Sequence, residues 1–347
     1  MRNQSRKLKV AVVGVGHLGR VHVRTYGELP EVELVGVVDT DRAVADEVAD
    51  SVGTRAFYDH RDLIGLAEAV SVVVPTQVHY PVARDLLDAG IHLIVEKPMT
   101  MTAEEAEDLV LLANRRRVAL QVGHVERFNP AVVAVRPYVH DPRYIECDRI
   151  SPFSFRSIDV GVVLDMMIHD LDIVMAFVNS EPAEIEGAGV AVFGRHEDMA
   201  SARIGFENGC VAYLRASRIS DKRLRKIRIF QADSYISVNY AERRAQVFRR
   251  KRTLTEDELA SLPQRYPRLE DAQRYMFDNL LDISEVPIRE EEPLRMELKA
   301  FVEAVRGGAE PPVPGELGLR TMRLAARVLD SISEVQNAAA IPPDKRR

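Results

Sequence analysis

The sequence predicts two domains: an α/β domain built on a doubly wound parallel sheet, then an α+β domain with a mostly antiparallel, open sheet. Three observations lead there. The chain has 347 residues, more than one compact unit of about 100–200 residues usually holds. Over the first 125 or so residues, short apolar runs alternate with amphipathic stretches. After about residue 130 the rhythm changes to long runs in which apolar and polar residues alternate.

The apolar runs of the first part are LKVAVVG (8–14), VELVGVVD (32–39), AVSVVVP (69–75), IHLIVE (91–96) and VALQVG (118–123). Several are apolar on successive residues, the mark of strands covered on both faces by helices. Helix-like stretches lie between them at 17–28, 41–51, 79–89 and 102–116. Thr102, with Glu105 three residues on, has the form of a capping box. In the second part a helical stretch runs from Val160 to Val178. ARIGFENGCVAYLRAS (202–217) carries Asn208-Gly209 at its centre, a strong hairpin signal. KIRIFQADSYISVNY (226–240) and RAQVFRR (244–250) continue the strand pattern, with one sheet face against helices and the other solvated or used for self-association. Residues 251–292 read as polar and irregular, and two helices follow at about 293–306 and 316–336. The expected domains are 1–125 and 126–347, with the C-terminal helices able to pack back on the first.

Composition narrows the function. A net charge of −6 argues against a nucleic-acid or anionic-membrane binder. The two cysteines, Cys147 and Cys210, are far apart and in no metal-ligand spacing, which suits a reducing compartment. The N-terminus is basic, but its apolar run is short and broken by glycine, unlike a signal peptide, and no segment is long enough to span a bilayer. A cytoplasmic protein without membrane insertion is expected. The basic runs DKRLRKIR (221–228) and RRKR (249–252) fit the solvated face of strands and a polar loop better than a phosphate patch.

VAVVGVGHLGRVH places Gly14, Gly16 and Gly19 between a strand and a helix. Each glycine has a reason: a tight turn at Gly14, close approach to a pyrophosphate at Gly16, helix–strand packing at Gly19. His17 and Leu18 complete this cofactor-binding turn, and the helix N-terminus offers N–H groups to phosphate. Asp39 stands at the tip of the second strand, 20 residues past Gly19. A carboxylate there accepts ribose hydroxyls and repels a 2′-phosphate, which favours NAD over NADP. Arg42 nearby is the one residue that speaks for NADP, although a solvated helix residue explains it as well.

In an open α/β sheet ligands bind at the carboxyl ends of the strands. Glu96, Lys97 and Pro98 end the fourth apolar run, so they are expected to face the nicotinamide. A lysine in a partly desolvated cleft needs a partner or a lowered pKa, and either state hydrogen-bonds an alcohol oxygen. A lysine merely paired with Glu96 is an equal reading of that stretch. The second constellation is VVLDMMIHDLDIV (162–174). Asp165 and His169 are four apart, so on a helix they share a face and touch, while Asp170 and Asp172 point elsewhere. A carboxylate beside an imidazole fixes its tautomer and tunes it as a general base. Apolar neighbours on most sides mark the pair as buried, which makes it a functional-site candidate rather than a solvated ion pair. No further ligand cluster accompanies it, so no metal site is expected.

Together the glycine fingerprint at 14–19, EKP at 96–98, GHVERFNP at 123–130 and GVVLDMMIHDLD at 161–172 resemble the glucose–fructose oxidoreductase / inositol dehydrogenase / MocA family (Gfo/Idh/MocA) over essentially the whole chain. The resemblance implies an N-terminal Rossmann domain that binds a nicotinamide dinucleotide, oxidation or reduction of sugar-like substrates, and a homodimer or homotetramer formed through the C-terminal sheet. The family's catalytic lysine, aspartate and histidine fall on Lys97, Asp165 and His169. Its further cofactor contacts fall on VPTQVH, where Thr76, Gln77 and His79 carry over but Val74 stands where many members have threonine. The glycine doublet often found before the aspartate helix is here Val160-Gly161.

Within the family, QVGHVERFNPAV, SPFSFRSIDVGVVLDMMIHDLDIV and RKIRIFQADSYISVNY resemble the enzymes that oxidise the 3-hydroxyl of UDP-N-acetylglucosamine to a ketone, ahead of a pathway aminotransferase in lipid A biosynthesis. A nucleotide sugar brings a diphosphate, for which arginines are suited. Arg127, Asn129 and Arg156 are thus substrate-binding candidates beside Lys97, Asp165 and His169. The expected chemistry is proton removal by His169, oriented by Asp165, while Lys97 polarises the oxygen and a hydride passes to NAD. The lysine and histidine roles are interchangeable at this level. Two alternatives stand: another sugar or inositol dehydrogenase of the family, and a non-catalytic NAD(H)-binding regulator.

Overall fold

The computed structural model describes residues 6–153 and 160–340. They form two compact units. One holds 6–128, 160–172 and 291–340, and the other holds 129–153 and 173–290. The segment 160–172, read from sequence as part of a second domain, thus packs with the first.

The first unit starts β1 (Leu8–Val13), α1 (His17–Gly27), β2 (Val32–Val38), α2 (Arg42–Val52), β3 (Ala56–Phe57), β4 (Ala69–Val72), α3 (His79–Asp88), β5 (His92–Glu96), α4 (Ala103–Arg116) and β6 (Leu120–Gly123). All strand pairs are parallel, in the order β3-β2-β1-β4-β5-β6. The order reverses between β1 and β4, which places a ligand crevice beyond their carboxyl ends. Strands β1, β4, β5 and β6 are buried on both faces, as their unbroken apolar runs require. One face is packed by Leu86, Leu109 and Met322 and the other by Val23, Tyr26 and Phe301. Thr102 caps α4 by accepting from Glu105 N, and the Glu105 carboxylate accepts from Met101 N, one residue before the position a strict capping box uses.

The second unit contributes α5 (Pro130–Val135), β7 (Tyr144–Ile150), most of α6 (Ile168–Val178), β8 (Pro182–Val190), β9 (Met199–Phe206), β10 (Val211–Ser217), β11 (Leu224–Phe230), β12 (Ser234–Asn239), β13 (Arg244–Arg250), α7 (Glu256–Arg265), α8 (Leu269–Tyr275) and β14 (Leu281–Glu285). Its sheet order is β14-β13-β12-β11-β7-β10-β9-β8, antiparallel except where β10 meets β7. The Asn-Gly hairpin forms: Phe206 and Cys210 close the loop and Gly209 takes φ +84°, which glycine adopts without penalty. One face of the sheet is buried. The other carries a row of half-exposed aromatics, Tyr213, Tyr144, Phe230, Tyr235 and Phe248, with successive ring centroids 4.7–5.7 Å apart.

Residues 251–292 are not irregular throughout. A capping box between Thr255 and Glu258 starts α7, and β14 pairs along the edge of β13. These elements have few buried residues, so the apolar periodicity that reveals a helix or strand is weak there.

The last two helices, α9 (Pro293–Gly307) and α10 (Gly315–Ala340), belong to the first unit. Gly318 lies so close to β6 that a Cβ there would meet Val122 Cγ2 at 2.4 Å. Between the helices, Val313 O accepts from Val122 N at 3.0 Å, so β6 does not end the sheet as a bare edge.

Candidate active site

Five strand ends of the first unit meet at a crevice of about 1170 Å³, lined by Gly14, Gly16, Asp39, Thr76, Glu96 and Lys97 among others. That exceeds the roughly 300–1,000 Å³ of a pocket for a drug-sized ligand and suits a longer one. Gly14 has φ +86°, and a Cβ on it would lie 2.4 Å from Val73 O. A Cβ on Gly19 would lie 1.9 Å from Gly14 O, so only glycine lets α1 sit this close to the loop. Gly16, by contrast, would meet nothing within 4 Å. Its surroundings are open, His17 and Leu18 are exposed beside it, and no side chain caps the start of α1. The N–H groups of that first turn are therefore available to phosphate oxygens.

Asp39 is held at the end of β2 by two backbone donors: Val15 N to Oδ2 at 2.9 Å and Asp41 N to Oδ1 at 3.0 Å. The first ties the carboxylate to the glycine loop. Arg42 stacks its guanidinium 4.4 Å over the Tyr58 ring, whose hydroxyl donates to Asp46 at 2.8 Å. These residues fit a dinucleotide: an open glycine turn for its pyrophosphate and a fixed carboxylate for a ribose.

Thr76 is buried and Gln77 exposed in the turn before α3, both on the crevice wall. His79 lines the same wall but directs its ring nitrogens at Val74 O (2.8 Å) and Pro98 O (2.9 Å). It bridges two loops with the atoms the sequence reading assigned to the cofactor. Burial pushes its pKa down, against the opposing pull of those carbonyls.

At the end of β5, Glu96 is buried and Lys97 half-buried. Glu96 accepts from Lys97 N at 3.2 Å and faces His22 Nε2 at 3.2 Å. Burial pushes the Glu96 carboxyl up, but His22 and Lys97 outweigh it and leave the group below its ordinary range. A Cβ at Gly123, the last residue of β6, would lie 2.9 Å from the Glu96 carboxyl carbon. The glycine of GHVERFNP thus makes room for the glutamate of EKP.

Lys97 Nζ donates to Asp165 Oδ1 at 3.0 Å and to Asp165 O at 2.6 Å. The sequence reading has Asp165 orient His169, and Lys97 is a partner that it does not name. Residues 163–167 form a π-helical turn, and α6 begins only at Ile168. Asp165 and His169 therefore lie on either side of the junction between the π-turn and α6. His169 is half-buried in the first turn of α6.

Arg127 also differs from expectation. Its Nε and Nη2 reach the two Asp172 oxygens at 2.6 and 2.8 Å, in a buried, two-point ion pair. It holds the 125–128 turn to α6. Asp172, which the sequence reading set aside, is the residue missed there. The Asn129 Oδ1 accepts from Ala131 N and caps α5, so it too has a structural role. Arg156 lies outside the described residues. Among the described residues, no cluster of His, Cys, Asp and Glu could hold a metal ion, and no helix is long and apolar enough to cross a membrane.

Residues 8–124 match the family model described as "Oxidoreductase family, NAD-binding Rossmann fold", and 131–236 match the "GFO/IDH/MocA C-terminal domain". The chain is 39% identical over 244 residues to UDP-N-acetylglucosamine 3-dehydrogenase of Acidithiobacillus ferrooxidans, covering 70% of this chain and 77% of that one. A solved structure of that enzyme superposes with a TM-score of 0.84 at 32% identity, over 94% of this chain and 98% of the other. Inositol 2-dehydrogenase of Rubrobacter xylanophilus is 31% identical over 205 residues, 55% of this chain and 58% of that one. Levoglucosan dehydrogenase, solved with NADH and levoglucosan, shares the fold alone: TM-score 0.81 at 18% identity, over 95% and 98% of the two chains. The glycine turn, the lysine at the end of β5 and the aspartate it holds are thus those of a chain that belongs to the Gfo/Idh/MocA family of oxidoreductases.

Proposed function

We propose that the protein is an NAD-dependent sugar dehydrogenase that oxidises the 3-hydroxyl of UDP-N-acetylglucosamine to a ketone. The observation that carries the chemistry is the contact of Lys97 Nζ with Asp165 at 3.0 Å inside the family's motif set. The 39% identity to an enzyme named for that substrate supports the substrate class. Gly14, Gly16, His17, Leu18, Gly19 and Asp39 would hold the dinucleotide, with Thr76, Gln77 and Glu96 along its length. When bound, the cofactor supplies a hydride acceptor. Asp165 holds Lys97 Nζ in place, and Lys97 donates a hydrogen bond to the substrate oxygen as the C–H bond breaks. His169 takes the hydroxyl proton. NAD is favoured over NADP because Asp39 is fixed where a 2′-phosphate would approach, and Arg42 is engaged with Tyr58.

The same reading carries the pathway: a cytoplasmic enzyme whose 3-keto product passes to an aminotransferase on the way to lipid A. A second copy covering the aromatic row of the open sheet would make the homo-oligomer. An inositol or other sugar dehydrogenase is the second reading, favoured by the 31% identity to an inositol 2-dehydrogenase.

The test is a panel of UDP-sugars, free sugars and inositols with NAD or NADP, followed by NADH absorbance with hydrazine present to trap ketone. Turnover with UDP-N-acetylglucosamine, slowed when deuterium replaces hydrogen at C3, is the expected result. Turnover confined to an inositol selects the second reading. Cofactor binding without turnover on any substrate selects a non-catalytic regulator.

A further inference from the structure

One buried carboxyl group has no part in the mechanism above. Glu297 is fully buried on α9, one turn from Leu294 and Phe301 in the core. Neither of its carboxyl oxygens has a hydrogen-bond partner among the described residues. Buried polar atoms are almost always paired, with protein or with ordered water, so two such oxygens on one side chain call for a physical reason. Helix α9 packs against α1 and the 125–128 turn. On α1, Tyr26 is within electrostatic reach of Glu297, and His22 lies one turn before it; both are buried. The charges Glu297 senses are Glu96 at the end of β5 and Asp172 on α6, the latter already paired with Arg127.

His22 presents the complementary need. Its Nε2 must donate to Glu96 Oε1, because a carboxylate only accepts. Its Nδ1 is buried and has no partner among the described residues. In the tautomer that serves Glu96, Nδ1 is a lone pair in want of a donor. Burial and two neighbouring carboxylates keep Glu297 protonated, well above the usual carboxyl range, and a protonated acid is a donor.

We propose that Glu297 is a positioning residue for Lys97: as a neutral acid it donates through a buried water to His22 Nδ1, and so holds Glu96 in place beneath the lysine. The chain then runs Glu297, water, His22, Glu96, Lys97 backbone. Each link needs a fixed proton on its neighbour, and the lysine's strand end inherits the order. This rests on Lys97 as the residue that meets the substrate hydroxyl, but its first readout does not depend on turnover.

The test compares the full-length protein with Glu297→Gln and Glu297→Leu. Infrared difference spectra at neutral pH are expected to show a protonated-carboxyl stretch in the wild type that Glu297→Gln lacks. Its absence from the wild type overturns the proposal whatever the substrate proves to be. In steady state, Glu297→Leu is expected to lower kcat about tenfold, the cost of one orphaned buried hydrogen bond, with KM for cofactor and substrate unchanged. Glu297→Gln, which keeps a donor, recovers most of that loss and moves the alkaline limb of the kcat profile to higher pH. A folded Glu297→Leu with wild-type kcat, or an alkaline limb unmoved in Glu297→Gln, sinks it. Should the leucine variant not fold, the spectrum and the glutamine pH profile decide alone. Loss of activity in Lys97→Met separates failure of this chain from failure of the lysine assignment.

Discussion

The Lys97 ammonium lies 3.0 Å from the Asp165 carboxylate, although 68 residues separate them in the chain. A strand end supplies one and a π-helical turn the other. Their side chains are 18% and 21% exposed, so the pair is shielded enough for charge to matter and open enough for a substrate to reach it. Lys97→Met is expected to lower kcat by about 10²–10⁴ while NAD binding, followed by protein fluorescence or calorimetry, stays within a fewfold. Asp165→Asn keeps the shape and removes the charge, and it is expected to fall in the same direction by a smaller factor. Wild-type turnover in Lys97→Met would remove the lysine from the chemistry.

Cofactor choice is expected to turn on Asp39. Its carboxylate is pinned by Val15 N and Asp41 N, so it neither swings away from a 2′-phosphate nor needs ordering to meet a ribose. Asp39→Ser should cut kcat/KM for NAD by about tenfold or more and raise the NADP-to-NAD ratio. An unchanged ratio would mean that another residue discriminates.

Arg127 was a substrate candidate in the sequence, and the structure makes it a buried partner of Asp172, itself 1% exposed. Removing one partner leaves the other charge buried and unpaired. Arg127→Met should therefore cost about 3–5 kcal/mol of stability, read from urea unfolding midpoints. KM for the proposed sugar substrate in the fraction that remains folded should change little. A stable variant with a raised KM would restore Arg127 to the substrate.

The pH dependence of stability follows from two buried groups of opposite sign. Glu297 keeps its proton in the fold to a higher pH than in the unfolded chain, where carboxyls of its type titrate near about 4.3. The stability it contributes is complete below that value and is lost as pH rises through the folded pKa. His124 is buried with Nδ1 unpartnered among the described residues, and burial holds its pKa below the ordinary imidazole range. Its contribution is present above about 6.5 and is lost as pH falls through the folded value. Urea midpoints measured across pH should thus decline less steeply on the alkaline side in Glu297→Gln and on the acid side in His124→Gln. Parallel curves for variant and wild type would show that neither group titrates differently on folding.

The parallel sheet, its helices and the glycine turn were legible because their causes are local. A strand buried on both faces must be apolar on successive residues, and a helix residue whose Cβ would lie 1.9 Å from the loop must be glycine. Lys97 was legible for the same reason, as a charge that interrupts a core strand. Elements with little buried surface, such as α7 and β14, escaped, since exposure removes the periodicity that would announce them.

Sequence alone thus determined the α/β unit, the dinucleotide crevice and which charged residues are out of place in an apolar setting. Tertiary structure decided which of those charges meet. Asp165 of the π-turn meets Lys97 at the end of β5, and Arg127 meets Asp172 of α6. Helical and strand periods report which side of its own element a residue occupies. They carry no term for what another element, dozens of residues away, brings opposite, and pairing between charges depends on that distance alone.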